Sequence, residues 1–262
     1  MPAPPAPRPA DGLRAAPRRA MRSTRGQGAA MTPRIVILTG AGISAESGLG
    51  TFRDAGGVWT QVRLEDVATP EAFARDPAMV RAFYDARRAQ ARAAAPNPAH
   101  EALARLEAAR PDTLIVTQNV DALHERAGAR NVIHMHGTLD GALCAACGHR
   151  WPWTPETMTE TDACPGCGRG EGVRPDVVWF GETPHDLDRI ADALDACDLF
   201  VAIGTSGAVY PAAGFVAEAA AAGARTLELN LERTEVSALF EETRTGRASE
   251  LVPAWVSEVL GD

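Results

Sequence analysis

The stretch RIVILTGAGISAESG, residues 34–48, decides the fold. Its first part, RIVILTG at 34–40, is an apolar run rich in β-branched residues that ends at glycine, the pattern of a strand buried on both faces. The pattern returns in TLIVTQN at 113–119, LFVAIGTS at 199–206 and RTLELNL at 225–231. Helical stretches, 98–110 and 211–223 among them, lie between these runs. Strand, loop and helix in alternation predict an α/β fold: a parallel sheet with helices on both faces. Each run passes into polar or glycine-rich residues, TGAGIS, TQNVD, GTSG and NLE. Ligands of open parallel sheets bind beyond the carboxyl ends of the strands, so the four ends predict one shared site.

GAGISA, 40–45, fits G-x-G-x-x-G/A directly after a strand. Gly40 and Gly42 permit a tight turn and close approach of backbone to a pyrophosphate, which a helix N-terminus then stabilises. The loop therefore reads as a dinucleotide site. It continues as ESGLGTFRDAGGVW, 46–59, too long and polar for an ordinary dehydrogenase turn, and reads as a loop that folds over its ligand.

A chain of 262 residues can hold one large domain with a smaller insertion, or two domains. No run approaches the roughly 18 apolar residues of a membrane span. The net charge of −8 is uneven: residues 1–30 carry six Arg against one Asp, leaving 20 Arg against 33 acids, about −13, for the remainder. Such an acidic body repels phosphates, so no nucleic-acid partner is expected. All 26 basic residues are Arg, so the chain has no lysine side chain to be modified. Residues 1–30, rich in Pro, Ala and Arg, read as a disordered tail, with Met21 and Met31 as candidate starts. No apolar segment follows Arg18–Arg19, so no export signal is expected. Five Cys in such a chain point to the reducing cytoplasm.

CAAC at 144–147 and CPGC at 164–167 are 16 residues apart, a spacing that aims Cys144, Cys147, Cys164 and Cys167 at one zinc ion. Four thiolates close the tetrahedron, so the zinc is expected to be structural. Three Arg among several acids in 138–175 argue against a ribbon that grips nucleic acid. Cys197 reads as a small buried hydrophobe. In VIHMHG, 132–137, His136 precedes a glycine and follows TQNVD, and a neutral imidazole there suits a general base on a ribose hydroxyl. His134, His124 and His100 read as structural. Asn119 and Asp121, two apart, share one side of an extended segment and can hydrogen-bond a carboxamide. Taken in isolation, they read as an Asx turn that caps the next helix.

Together GAGIS, TFR, TQNVD, HMHG, the two CxxC pairs, VVWFGE, GTS, NLE and GRASELVP, in that order over 33–260, resemble the sirtuins, NAD-dependent protein deacylases. The resemblance implies a Rossmann-like part at about 31–60, 98–140 and 175–262, a helical module at about 61–97 and a zinc module at about 141–174, with acyl-lysine proteins or peptides entering the cleft between them. It implies that the loop from Gly40 to Trp59 covers NAD through Gly40, Ala41, Gly42, Ile43, Ser44, Ala45, Glu46, Thr51, Phe52, Arg53 and Trp59, with Ser44 and Arg53 near the phosphates. Ile43, Asn119 and Asp121, with Val120 between the last two, would take the nicotinamide amide, and Gln118 the ribose. Gly204, Thr205, Ser206, Asn230, Leu231, Glu232 and Ala248 would line the adenosine half. His136 would be the base, and the products free lysine, nicotinamide and O-acyl-ADP-ribose. Val178, Phe180 and Gly181 of VVWFGE would pair with the substrate backbone by strand addition. A monomer is expected, with no membrane partner.

Asp76–Pro77 predicts a helix start, and Tyr84 and Arg87 then lie three apart on one face. From the helix alone, Tyr84 reads as half-buried core and Arg87 as solvated. Resemblance to the class III, desuccinylase-like sirtuins implies otherwise, since they carry Y-x-x-R here and a small residue where this chain has Ala68. A guanidinium fork and a phenol suit a succinyl or malonyl carboxylate, with deacetylation retained. Arg88 lies on a different face. Rival readings are an NAD-dependent oxidoreductase, a non-catalytic NAD- and zinc-binding protein, and a mono-ADP-ribosyltransferase.

Overall fold

The computed structural model describes residues 34–50 and 63–262. Strand β1 (Ile35–Thr39) is buried along its whole length, because it lies in the middle of a sheet covered on both faces. It pairs in parallel with β2 (Thr113–Thr117) on one side and β7 (Leu199–Ile203) on the other. With β3 (Val132–His134), β8 (Arg225–Asn230) and β9 (Glu242–Thr245) these form a six-stranded parallel sheet in the order β3-β2-β1-β7-β8-β9. All four strands expected from the sequence are present.

Alternate residues of β1 face opposite cores. Ile35 and Ile37 pack with Leu103 and Leu106 of α4 (Pro98–Ala109) and with Val252 and Trp255 of α8 (Ala248–Leu260). Val36 and Leu38 pack with Ile190 and Leu194 of α6 (Leu187–Ala196) and with Phe215 of α7 (Phe215–Ala221). Each such side chain contributes about 1.5–3 kcal/mol by leaving water. This two-sided burial explains why the strands read as continuous apolar runs and not as alternating ones.

Within residues 63–97 lie the helices α2 (Pro70–Arg75) and α3 (Pro77–Ala93). The Asp76 side chain accepts from the Met79 amide at 2.9 Å and Pro77 fills the first helical position, as the sequence predicts. The loop-like reading of 141–172 needs correction at Gly141–Cys144 and at Arg150–Pro152, which are strands. An antiparallel sheet, β5-β4-β6, is formed by β4 (Gly137–Cys144), β5 (Arg150–Pro152) and β6 (Val173–Val177). β5 is only three residues long and β6 pairs with β4 across the cysteine-bearing loops, so neither leaves a periodic signal. Among the described residues no helix is long and apolar enough to cross a membrane.

Strand order reverses between β2 and β7, on either side of β1. Such a switch point leaves a crevice above the carboxyl ends of the strands, where the loops after β1 and β7 diverge.

Candidate active site

Two glycine-bearing loops meet at the crevice. The Gly40 amide donates to the Ile203 carbonyl at 3.0 Å and the Gly42 amide to the Gly204 carbonyl at 2.8 Å. A Cβ on Gly42 would stand 2.7 Å from the Gly204 Cα, and one on Gly204, whose φ is +60°, 2.5 Å from the Ile43 nitrogen. Gly42 is thus required first by the facing loop, a constraint that the sequence motif does not reveal. Ala41 to Ser44 form the short helix α1 (Ala41–Ser44), of which Ile43 and Ser44 are buried.

Below this loop sits a buried polar pocket. The Asn119 side-chain amide donates to the Gly40 carbonyl and to Ser44 Oγ, both at 3.1 Å. Ser44 Oγ donates to Asp121 Oδ2 at 3.1 Å, while Asp121 Oδ1 accepts from the Leu123 amide at 3.0 Å. The Asx-turn reading of Asp121 therefore holds: one oxygen forms the turn before α5 (Leu123–Arg126), and the other accepts from Ser44. Burial raises the Asp121 pKa, with the Leu123 and Ser44 hydrogen bonds opposing it. Val120 is half-buried between Asn119 and Asp121. Gln118 reaches across to donate from Nε2 to Thr205 Oγ1 at 2.9 Å, joining the end of β2 to the loop after β7.

His136 follows β3 at the same edge. Its Nδ1 lies 3.1 Å from the Gln118 carbonyl oxygen, which can only accept, so Nδ1 carries the proton and Nε2 keeps its lone pair. Burial lowers the His136 pKa, and the charge of His185 adds to this while the Gln118 hydrogen bond opposes it. Burial thus favours the neutral ring. His134 is bound at both nitrogens, by the Asn119 carbonyl at 3.1 Å and Glu125 at 2.7 Å, and the buried His124 contacts Thr39 Oγ1 at 3.0 Å.

Beyond the glycines, Asn230 Nδ2 donates to the Thr205 carbonyl at 2.7 Å and its Oδ1 accepts from the Leu231 amide at 3.0 Å. Leu231 and Glu232 are exposed, and Gly204, Thr205, Ser206 and Ala248 half-buried. Glu46, next to half-buried Ala45, takes the Ser249 amide at 3.0 Å and its hydroxyl at 2.6 Å, which ties the first loop to the start of α8. Thr51, Phe52, Arg53 and Trp59 lie outside the described residues.

On the facing wall, Tyr84 is buried and Arg87 half-buried. Burial lowers the Arg87 pKa, opposed by its interactions with Tyr84 and Asp121. Arg88, on the other face, is buried against the Leu139 carbonyl at 2.7 Å and Asp85 at 2.6 Å. The Phe180 amide donates to the Ala68 carbonyl at 3.0 Å and the Val178 amide to that of His136 at 2.9 Å. The expectation that VVWFGE is extended holds only to its start. β6 ends at Val177, and the chain turns at Phe180 and Gly181, whose φ is +88°. Glu182 causes the turn by accepting from the Trp179 amide at 2.8 Å while its own amide donates to the Trp179 carbonyl at 3.0 Å.

The four cysteines converge: Cys144 Sγ lies 3.8 Å from Cys167 Sγ and Cys147 Sγ 3.7 Å from Cys164 Sγ. All four sulfurs lie within 4.8 Å of one another. Zinc–sulfur bonds of about 2.3 Å in a tetrahedron require sulfurs about 3.8 Å apart, so the cluster is positioned to bind a zinc ion. Each pair forms a matching turn, in which the Gly148 and Gly168 amides donate to the Cys144 and Cys164 carbonyls at 2.8 Å. Cys197 is buried, as expected.

Two contributors escaped the sequence reading. His100 takes the Asn97 amide on Nδ1 at 3.3 Å, so its Nε2–H faces Ser44 Oγ at 3.5 Å. Trp179 reaches the Tyr84 hydroxyl. The capping pattern at Asn97 could have pointed to the first; nothing local marks the second.

A crevice at a sheet's switch point, with a base at its edge and an amide–acid pocket beneath, belongs to the α/β enzymes that use a dinucleotide. Comparison with known proteins makes that class specific. The model described as the Sir2 family matches residues 40–211, and the chain belongs to that family. An NAD-dependent protein deacylase of Caulobacter vibrioides is 56% identical over 231 residues, 87% of this chain and 97% of that one. A solved Sir2 homologue in complex with NAD has a TM-score of 0.79 at 39% identity, over 87% of this chain and 89% of its own. A Sir2 structure holding an inhibitor, 2′-O-acetyl-ADP-ribose and a deacetylated p53 peptide has a TM-score of 0.71 at 28% identity, over 87% and 94%.

Proposed function

We propose that this chain removes acyl groups from protein lysines with NAD as co-substrate, releasing nicotinamide and O-acyl-ADP-ribose, and that succinyl and malonyl groups are accepted together with acetyl. The observation that carries the deacylase reading is His136, its tautomer set by the Gln118 carbonyl so that Nε2 is free to take a proton. In this reading Asn119, Asp121 and Ile43 hold the nicotinamide amide, Gln118 contacts the ribose, and Thr205, Ser206, Asn230, Leu231, Glu232 and Ala248 line the adenosine half. The structural zinc closes the module at 141–174. Acyl-lysine enters between the parallel sheet and the helical module, beside Ala68, Val178, Phe180 and Gly181.

The acidic-acyl part rests on Tyr84 and Arg87. What supports it is a half-buried guanidinium one helical turn from a buried phenol, a pair whose donors suit a carboxylate at the end of an acyl chain. The test is kcat/KM with NAD on two peptides differing only in succinyl or acetyl on one lysine, for the wild type and Arg87→Met. Removing a charge-assisted hydrogen bond from a partly desolvated pocket costs on the order of 2–5 kcal/mol, so Arg87→Met is expected to lower succinyl turnover at least 30-fold and spare acetyl. Equal losses on both substrates would make Arg87 structural. His136→Ala is expected to abolish formation of free lysine and O-acyl-ADP-ribose; retained deacylation would refute its role as base. Reduced-cofactor absorbance, or label from the NAD adenylate fixed on protein, would point to hydride transfer or ADP-ribosylation.

A further inference from the structure

We propose that Trp179 is a positioning residue for acyl selectivity: its indole N–H occupies the acceptor side of the Tyr84 hydroxyl, and so directs the phenol's single hydrogen toward an acyl carboxylate. The inference rests on the reading of Tyr84 and Arg87 as the contacts to that carboxylate.

Trp179 Nε1 lies 3.0 Å from the Tyr84 hydroxyl oxygen, and both residues are 3% exposed. An indole N–H can only donate, so Tyr84 is the acceptor in this bond. A phenol has one hydrogen. With its oxygen engaged by Trp179, the hydroxyl serves any further partner by donating. A carboxylate, which only accepts, is the matching partner; an acetyl methyl offers none. Burial also raises the Tyr84 pKa, so the hydrogen is retained at neutral pH.

The indole is itself fixed. The Arg174 guanidinium carbon lies 3.9 Å from the centroid of the Trp179 ring, and Arg174 Nη2 is paired with Glu182 Oε1 at 2.6 Å. The other Glu182 oxygen accepts from the Trp179 backbone amide at 2.8 Å. Phe73 packs on the ring at a centroid distance of 5.4 Å, and Phe83 meets Tyr84 edge-on at 5.2 Å. A run of contacts from Glu182 through Arg174 and Trp179 thus sets the direction of one hydroxyl. Tyr84 and Arg87, three apart on α3, then present donors from the same face.

The experiment measures kcat/KM with NAD on the succinyl and acetyl peptides for the wild type, Trp179→Phe, Tyr84→Phe, the double variant and Arg87→Met. A hydrogen bond to a charged group bounds the effect, so Trp179→Phe is expected to lower the succinyl-to-acetyl ratio about 10-fold, with acetyl turnover within about 2-fold of wild type. The double variant is expected to show the same ratio as Tyr84→Phe alone, because Trp179 acts through that hydroxyl. Should Trp179→Phe fold poorly, benzothienylalanine at position 179 keeps the ring shape and removes only the N–H, and the same ratio is read. An unchanged ratio, equal losses on both peptides, or multiplying effects in the double variant would overturn the inference while Arg87→Met still removes the preference. If Arg87→Met and Tyr84→Phe also leave the ratio unchanged, the acidic-acyl reading falls and the inference falls with it.

Discussion

Replacing Gly204 with Ala tests whether the ligand crevice depends on two loops meeting without side chains. Gly204 has a φ of +60°, and an added Cβ would lie 2.5 Å from the Ile43 nitrogen and 2.7 Å from the Gly42 carbonyl carbon. Both neighbours are backbone atoms and cannot rotate away. The left-handed conformation costs an alanine roughly 1–2 kcal/mol. Crowding against rigid backbone adds about 1–3 kcal/mol, which brings the sum to about 2–5 kcal/mol. For a chain of this size each kcal/mol lowers Tm by roughly 2–4 °C, so a fall of roughly 4–20 °C is expected. Gly48→Ala is the control: its φ is +85°, but an added Cβ would meet nothing within 4 Å, leaving only the conformational part. Thermal unfolding of both variants, with nicotinamide release measured against NAD concentration, separates the two effects. Gly204→Ala should also raise KM for NAD, because the shifted backbone carries the Gly40–Ser44 turn with it. A Tm no lower than that of Gly48→Ala, with an unchanged KM, would refute the reasoning.

Three further outcomes are expected. A strong chelator or Cys164→Ser should remove about one zinc per chain and lower Tm, since binding free energy at such a site is folding free energy; a purified protein without zinc, with the same Tm after chelation, would exclude the site. The His136 pKa is lowered mainly by burial and further by the charge of His185, so kcat/KM should hold through neutral pH and fall only below the ordinary histidine range. His185→Gln should move that acid limb to higher pH, and an unmoved limb would show that the coupling is absent. Burial pushes His100 down to about 4 from 6.5, so protons favour the unfolded chain. The stability of the neutral ring is complete above about pH 6.5 and is lost as pH falls to about 4, a change of about 3 kcal/mol. Denaturant unfolding across that window should show a shallower pH dependence for His100→Gln, and equal slopes would contradict this.

The outline of the site was legible because its signals are local. Apolar runs ending in glycine or polar residues mark β1, β2, β7 and β8, and the turn chemistry of CAAC-Gly148 and CPGC-Gly168 places four thiolates without reference to the rest of the chain. The zinc module's sheet was less legible. Arg150–Pro152 and Val173–Val177 are short, and their pairing with β4 crosses loops that carry no periodicity.

Side-chain partners were the least legible feature. Helical periodicity separates the faces of Arg87 and Arg88, but it does not say that Arg88 is the one that meets Leu139 and Asp85 in the core. The sequence by itself determined the parallel sheet, the glycine-lined strand ends, the metal cluster and the membership of His136 and TQNVD in one site, because strand periodicity, φ preference and ligand spacing act over a few residues. Only the tertiary structure decided that Gly42 answers to Gly204, that His100 faces Ser44 and that Trp179 meets Tyr84 across 95 residues of chain. Those contacts depend on how sheets and helices pack, and a donor or a missing Cβ finds its partner only once they have.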